Sequence, residues 1–257
     1  MEYLSIKPVW SKSKDELWNE MFEPLEEDHK HELKFSFRRI PVWGYAASLL
    51  IPVLLICHFY TVTEETKRGQ HTVVRLPDRS TVILNAESKL SYKPVVWLIT
   101  RKVTLTGEAC FDVQSGNDFY VQSGRNRVQV TGTTFNVYAR AEMYRITCLT
   151  GQVEVQAGKE SVTLHPNMQA VFNERQLHIY NDIMPSTANG WVQGKFIFVG
   201  TPLQEVIAEV ERQYNIVVTS DYYPNHLYSG NFSKTEKPEV VLEIIGKSFD
   251  IQFSIEQ

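Results

Sequence analysis

The chain of 257 residues is 43% hydrophobic and 22% charged, with a formal net charge of −4. Its 26 basic and 30 acidic side chains leave no basic excess to hold a phosphate backbone, so direct nucleic-acid binding by charge is excluded. Seven histidines and three cysteines include no CxxC and no Cys/His pair at ligand spacing, so neither a metal centre nor a cofactor is expected.

Near the N-terminus Ser13-Lys14-Asp15-Glu16 has the form of a capping box, in which Ser and Glu satisfy each other's free backbone N–H groups. Leu17, Trp18, Met21, Phe22 and Leu25 follow at helical spacing as one apolar face, and Pro24 bends or ends the helix. A segment of 39 residues cannot bury that face against itself. The face must rest on the membrane surface or on another protein, or stay partly unfolded.

From Ile40 to Val62 run 23 residues without Asp, Glu, Lys or Arg. As a helix this run is ~35 Å long, enough to cross a hydrocarbon core of ~30 Å. Only Ser48, Thr61 and His58 lend it polarity, which argues for a transmembrane helix over 40–62 rather than a buried core helix. Lys30, Lys34, Arg38 and Arg39 precede it, and Glu64 and Glu65 follow, so the N-terminal segment 1–39 is expected to be cytoplasmic. The long leader and the bulky Phe59 and Tyr60 at the end of the run suit a retained anchor better than a cleaved signal peptide.

Between His71 and Tyr180 short β-branched and aromatic runs alternate with turn residues, the pattern of an all-β domain, bounded at 63–184. A weak repeat recurs at Arg75-Leu76-Pro77-Asp78, Thr104-Leu105-Thr106-Gly107, Cys148-Leu149-Thr150-Gly151 and Thr163-Leu164-His165-Pro166. Each is expected to reverse one strand into the next, and both a multi-hairpin sandwich and a short β-solenoid satisfy the pattern. Cys110 and Cys148 fall on these strands, as two buried thiols or, if adjacent, one disulfide.

Beyond Pro185 the pattern becomes strand (195–199), helix (202–214), strand (216–220), strand (228–233), helix (238–249) and strand (251–256). Thr201 is placed as an N-cap with Pro202 at the first helical position. Leu203, Val206, Ile207 and Val210 make one apolar stripe, and Val240, Val241, Ile244 and Ile245 another. Two β-α-β halves predict a small split α+β domain over 188–257, with both helices on one face of its sheet.

No constellation for catalysis is present: there is no GxSxG, HExxH, Walker loop or GxGxxG. Asp78 reads as an ordinary turn residue after Pro77, and His71, His165, His178 and His226 as surface or edge positions. Glu108 and Asp112 stand alone. An enzyme is not expected.

The motifs resemble those of the FecR family of transmembrane anti-sigma regulators. Leu76-Pro77-Asp78 followed by Thr81 to Leu90, TVILNAESKL, is similar to the family's LPDG turn and xVxLNAxSxL run. Arg101 to Val113, RKVTLTGEACFDV, is similar to RxVxLxGEAxFxV, and Phe119-Tyr120-Val121 and Gly132-Thr133-Thr134-Phe135-Asn136-Val137 to FxV and GTxFNV. Leu76, Pro77, Asp78, Gly107, Glu108, Gly132 and Phe135 are thereby expected to be structural motif residues. Arg79 stands where the family usually has Gly, which implies a different turn type. The segment from Gly194 to Tyr214 looks like the C-terminal domain usual in Bacteroidetes members, itself similar to the short signalling domain of secretins and TonB-dependent receptors.

The resemblance implies a single-pass protein of the inner membrane with a periplasmic C-terminus. It implies a regulator that senses the signalling domain of a TonB-dependent outer-membrane receptor and controls an extracytoplasmic-function sigma factor. Leu17, Trp18, Met21 and Phe22 are the expected sigma-binding residues. The cytoplasmic segment is shorter than the helical domain usual in the family. The alternative is a membrane-anchored periplasmic module holding a glycan or envelope component, with Trp97, Trp191, Tyr222 and Tyr223 as stacking surfaces.

Overall fold

The computed structural model describes residues 12–21, 52, 59–140, 143–173, 176–220 and 225–256. The chain divides into two compact units, Met1–Leu50 and Ile51–Gln257. Apart from Pro52 and residues 59–62, the apolar run at 40–62 lies outside the described residues. Among the described residues no helix is long and apolar enough to cross a membrane. In the first unit, helix α1 (Lys14–Met21) starts at the expected capping box. The Glu16 N–H donates to Ser13 Oγ at 3.2 Å and the Ser13 N–H to Glu16 Oε2 at 2.9 Å.

The second unit is built on a β-sandwich. One sheet runs β1 (Val62–Thr66), β4 (Ser88–Tyr92), β5 (Arg101–Asp112), β6 (Phe119–Ser123), β7 (Asn126–Val130), β10 (Val153–Ala157) and β11 (Glu160–Leu164). The other runs β2 (Thr72–Arg75), β3 (Thr81–Leu84), β5 again, β8 (Thr134–Arg140), β9 (Met143–Thr150), β12 (Gln169–Asn173) and β13 (Gln176–Tyr180). Strand β1 begins at Val62, so the apolar run gives way to sheet one residue earlier than the sequence indicated.

Strand β5 belongs to both sheets, which corrects the expected turn at Thr104–Gly107. A straight strand of 12 residues would be ~40 Å long, yet only residues 113–118 return the chain to Phe119, which pairs in parallel beside Arg101. The strand folds over at Gly107, where φ is 100° and a Cβ would lie 2.5 Å from Ser88 Oγ. Its two halves therefore lie in opposite sheets instead of pairing with each other. The repeats at Cys148–Gly151 and Thr163–Pro166 likewise carry the chain from one sheet to the other, and only Leu76–Asp78 closes a hairpin, β2 to β3.

Hairpins laid alternately in two sheets enclose one apolar core, in which Phe111 stacks on Phe135 at 5.0 Å and Phe119 stands edge-on to Phe111 and Trp97. Each such side chain withdrawn from water contributes ~1.5–3 kcal/mol. In the β2–β3 turn Arg79 itself adopts φ 71°, so the turn keeps the left-handed residue despite the missing glycine. At Gly132, between β7 and β8, a Cβ would meet Ser115 Oγ at 2.6 Å, so the close approach of backbones there needs glycine.

The C-terminal part comprises α2 (Pro185–Asn189), a 3-10 turn (Gly190–Gln193), β14 (Lys195–Pro202), α3 (Leu203–Tyr214), β15 (Val217–Thr219), β16 (Leu227–Ser233), α4 (Pro238–Lys247) and β17 (Ser254–Glu256). The single split sheet expected here is two two-stranded ladders, because β14 pairs with β16 and β15 with β17. Each β-α-β half thus contributes one strand to each ladder. Thr201 does not cap α3: it lies in β14, and Pro202 occupies the N-cap position without a side-chain bond. On α4 the buried arc is Val241, Leu242 and Ile245, while Val240 and Ile244 are half-exposed, so the predicted stripe is rotated by one residue towards Leu242.

Candidate functional site

The first half of β5 alternates between buried and exposed, as a sheet with one wet face must, but residues 107–111 are all buried. The second sheet is covered on its outer face as well. Its outer residues Ile83, Cys110 and Leu149 pack with Trp191, Phe196, Leu203, Val206, Ile207 and Val210 in a second core. The stripe predicted on α3 is buried there, and Glu209, Arg212 and Gln213 of the same helix are buried beside it, at 7%, 9% and 1% exposure.

Asn85, Glu108 and Asn136, all buried, receive that polar edge. Asn85, at the corner after β3, donates through Nδ2 to Glu108 Oε2 at 2.7 Å and to Glu209 Oε1 at 3.4 Å, and its Oδ1 accepts from Gln213 Nε2 at 2.7 Å. Asn136 donates to Glu108 Oε1 at 2.9 Å and accepts from Trp191 Nε1 at 3.3 Å. Arg212 clasps Glu209 Oε2 through Nε and Nη2 at 3.0 and 2.8 Å. Gln213 Nε2 also donates to Glu209 Oε1 at 2.7 Å, which leaves its carbonyl oxygen to accept from His71 Nε2 at 3.0 Å.

Surrounding contacts close the seam. Arg140 donates to the carbonyl oxygens of Ala86 and Glu87 at 2.6 and 2.8 Å, fixing the Asn85 corner. The Gly69 N–H in the β1–β2 loop donates to the Arg212 carbonyl at 2.7 Å, capping the end of α3, and Lys234 Nζ donates to the Gly69 carbonyl at 2.8 Å. Arg145 pairs with Glu205 at 2.7 Å. His71, expected at an edge, is half-buried with its ring edge-on to Trp191 at 5.4 Å. Burial, and then Lys234, lower its pKa, which favours the neutral ring, and Nε2 is the donor because the Gln213 oxygen can only accept.

Two buried carboxyls share this seam with different environments. Burial raises the pKa of Glu108, and the neighbouring charge of Glu209 raises it further. Burial also pushes Glu209 upwards, but Arg212 and Arg140 outweigh it and hold the carboxyl below its ordinary value. Their effects on stability are opposite in sign. The contribution of Glu108 is complete below its unfolded value of 4.5 and is lost as pH rises through its raised value. That of Glu209 is present above 4.5 and is lost as pH falls through its depressed value.

Glu108→Gln removes the first effect and leaves the second. Stability measured by denaturant unfolding is therefore expected to shift progressively in the variant's favour, relative to wild type, as pH rises above 4.5. A difference that stays constant as pH rises would contradict the assignment.

A second polar cluster lies at the motif turn of Leu76, Pro77 and Asp78. Asp78 is the turn residue expected, accepting from the Ser80 N–H at 3.0 Å, and it also accepts from Arg101 Nε at 2.7 Å. Arg101 is 9% exposed and donates onward to the carbonyls of Asn117 and Gln114 at 2.6 and 2.8 Å, tying the two ends of the folded-over β5 together. Leu76 and Phe135 belong to the main core, and Pro77 is exposed.

Trp97 and Trp191, considered as stacking platforms, are buried in the two cores at 4% and 5% exposure, and Tyr222 and Tyr223 lie outside the described residues. Cys110 and Cys148 are free, buried thiols with pKa values pushed by burial to about 12 and about 11. Among the described residues no group of three His, Cys, Asp or Glu side chains is placed to hold a metal. A void of about 70 Å³ borders Glu108 and Glu209, too small for an organic substrate. Of the sigma-binding candidates, Leu17 is half-buried, Trp18 and Met21 are 58% and 71% exposed on α1, and Phe22 lies outside the described residues.

Comparison with known proteins agrees with this geometry. Residues 62–154 match the family described as FecR protein, and residues 195–257 match FecR, C-terminal. No curated protein matches the chain. Two crystal structures of a candidate anti-sigma factor from Parabacteroides distasonis ATCC 8503 are similar to it. One is 28% identical over 76% of this chain and 95% of that one, and the other 29% identical over 77% and 96%, each with a TM-score of 0.69. With both patterns in order along more than half of its length, the chain belongs to the FecR family.

Proposed function

We propose that this protein is a membrane-anchored anti-sigma regulator. In this reading the cytoplasmic segment 1–39 holds an extracytoplasmic-function sigma factor through Leu17, Trp18, Met21 and Phe22. The run 40–62 crosses the inner membrane once, and the sandwich (63–184) and the α+β part (188–257) lie in the periplasm. The observation that carries the reading is α1, a helix with a formed capping box that buries none of its residues and leaves Trp18 and Met21 exposed. Family membership, and the similar structure described as a candidate anti-sigma factor, support it. Pulldown of the full-length protein from solubilised membranes tests it: recovery of a sigma factor is expected, and its absence from an otherwise intact eluate would overturn the reading.

On the outer side the partner is the signalling domain of a TonB-dependent receptor, met by the rim of the β14–β16 ladder. Val199 and Leu227 are 67% and 65% exposed there, and a short ladder is open to strand addition. The double variant Val199→Asp, Leu227→Asp is expected to weaken capture of that domain about tenfold or more while leaving thermal stability within ~1 kcal/mol. Capture at wild-type strength would remove this ladder as the contact.

A further inference from the structure

Strand β1 pairs antiparallel with β4, Val62 opposite Tyr92, so the chain arriving through Phe59 and Tyr60 and the chain leaving β4 through Lys93 meet at one end of the sandwich. Between β4 and β5 the segment 93–100 forms a compact turn, with the Ile99 and Thr100 N–H groups both donating to the Val96 carbonyl at 3.0 Å. Trp97 is its root, buried at 4% exposure and edge-on to Tyr92 and Phe119 at 5.7 and 5.9 Å. The next two side chains turn outwards: Leu98 is 96% exposed and Ile99 88%, with Val95 at 50%. Beside them Phe59 and Tyr60 are 71% and 55% exposed, and Lys93 Nζ sits 5.9 Å from the centre of the Phe59 ring.

Five large apolar side chains thus face outwards at one end of the sandwich, three of them on a turn rooted by a buried tryptophan. A loop that merely joined two strands would not hold Leu and Ile almost wholly in water. The occupant follows from continuity. Phe59 and Tyr60 close the uncharged run that begins at Ile40, so whatever medium accepts that run lies at this end of the sandwich. Aromatic rings with flanking lysines, here Lys93 and the exposed Lys102, are the composition that favours the boundary between acyl chains and headgroups.

We propose that the turn at 93–100, with Phe59 and Tyr60, is a second membrane contact that seats Leu98 and Ile99 in the outer leaflet of the bilayer the anchor crosses. This rests on the reading of 40–62 as a membrane span. Two attachments on one end stop the sandwich from swinging about its anchor. They hold the opposite end, where the β10–β11 turn carries Lys159, away from the lipid.

The test uses the full-length chain with Cys57→Ser, carrying Leu98→Cys, Ile99→Cys or Lys159→Cys labelled with an environment-sensitive fluorophore, in lipid nanodiscs. The labels at 98 and 99 are expected to be quenched several-fold more by nitroxide-bearing lipid than the label at 159, and several-fold less by aqueous iodide. If the labels at 98 and 99 respond to iodide as the label at 159 does, the turn is in water. If neither quencher reaches them, a protein surface covers it, and either result overturns the proposal. Alkaline carbonate washing of native membranes separates this from the anchor itself: release of the unlabelled protein would refute the span, whereas retention with an iodide-accessible turn would refute only the second contact.

Discussion

Replacing Glu209 by Ala is expected to destabilise the folded unit Ile51–Gln257 by about 3–5 kcal/mol, the range for stranding one member of a buried ion pair. The Arg212 guanidinium, with its side chain 10% exposed, would lose both of its bonds to Glu209. Gln213 would lose an acceptor at 2.7 Å, and Arg140 a compensating charge. Glu209→Gln keeps an acceptor in place and removes only the charge, so its loss is expected to be smaller, about 1–3 kcal/mol. Denaturant unfolding of both variants decides the matter. An alanine variant within ~1 kcal/mol of wild type would mean that the seam is wetter and looser than its geometry indicates.

The second large effect concerns helix α1. Trp18→Ala with Met21→Ala is expected to weaken sigma-factor capture by at least about a hundredfold, because each side chain contributes ~1.5–3 kcal/mol when fully withdrawn from water. Both are exposed on α1, and no residue of that helix is buried. The capping pair Ser13 and Glu16 is untouched, and helicity is expected to persist. A double variant that captures the sigma factor at wild-type strength would rule out this face as the contact.

Much of the architecture was legible because it rests on local rules. The capping box at Ser13, the alternating runs of the sandwich and the apolar stripe Leu203, Val206, Ile207 and Val210 each follow from periodicity within a few residues. What the sequence hid is non-local. Thr104 to Gly107 has the composition of a turn, and only the return of the chain to Phe119 in six residues requires β5 to fold over between sheets instead. Val240 and Ile244 have the spacing of a core stripe, but Leu242 won the buried arc.

The seam was the least legible part. Asn85, Asn136, Glu209, Arg212 and Gln213 are polar residues that sequence periodicity assigns to surfaces, and each is buried only because the others satisfy it. The one local signal was Glu108, a carboxylate set among Gly107, Ala109, Cys110 and Phe111 in a run otherwise fit for a core. The family motifs, read along the chain, look like turn and strand punctuation. In space the Asn of LNA, the Glu of GEA and the Asn of FNV form one cradle, and its occupant is the helix of the C-terminal part.

That cradle joins the sandwich to α3, and a double-mutant cycle between Asn85 and Gln213 tests the junction most directly. Their side chains meet at 2.7 Å across the seam, 128 positions apart in the chain. Unfolding free energies of Asn85→Ala, Gln213→Ala and the double variant are predicted to show a coupling of about 1 kcal/mol or more, as for groups within one buried network. Additivity to within ~0.3 kcal/mol would mean that the motif residues and the helix are stabilised independently, and would contradict the cradle.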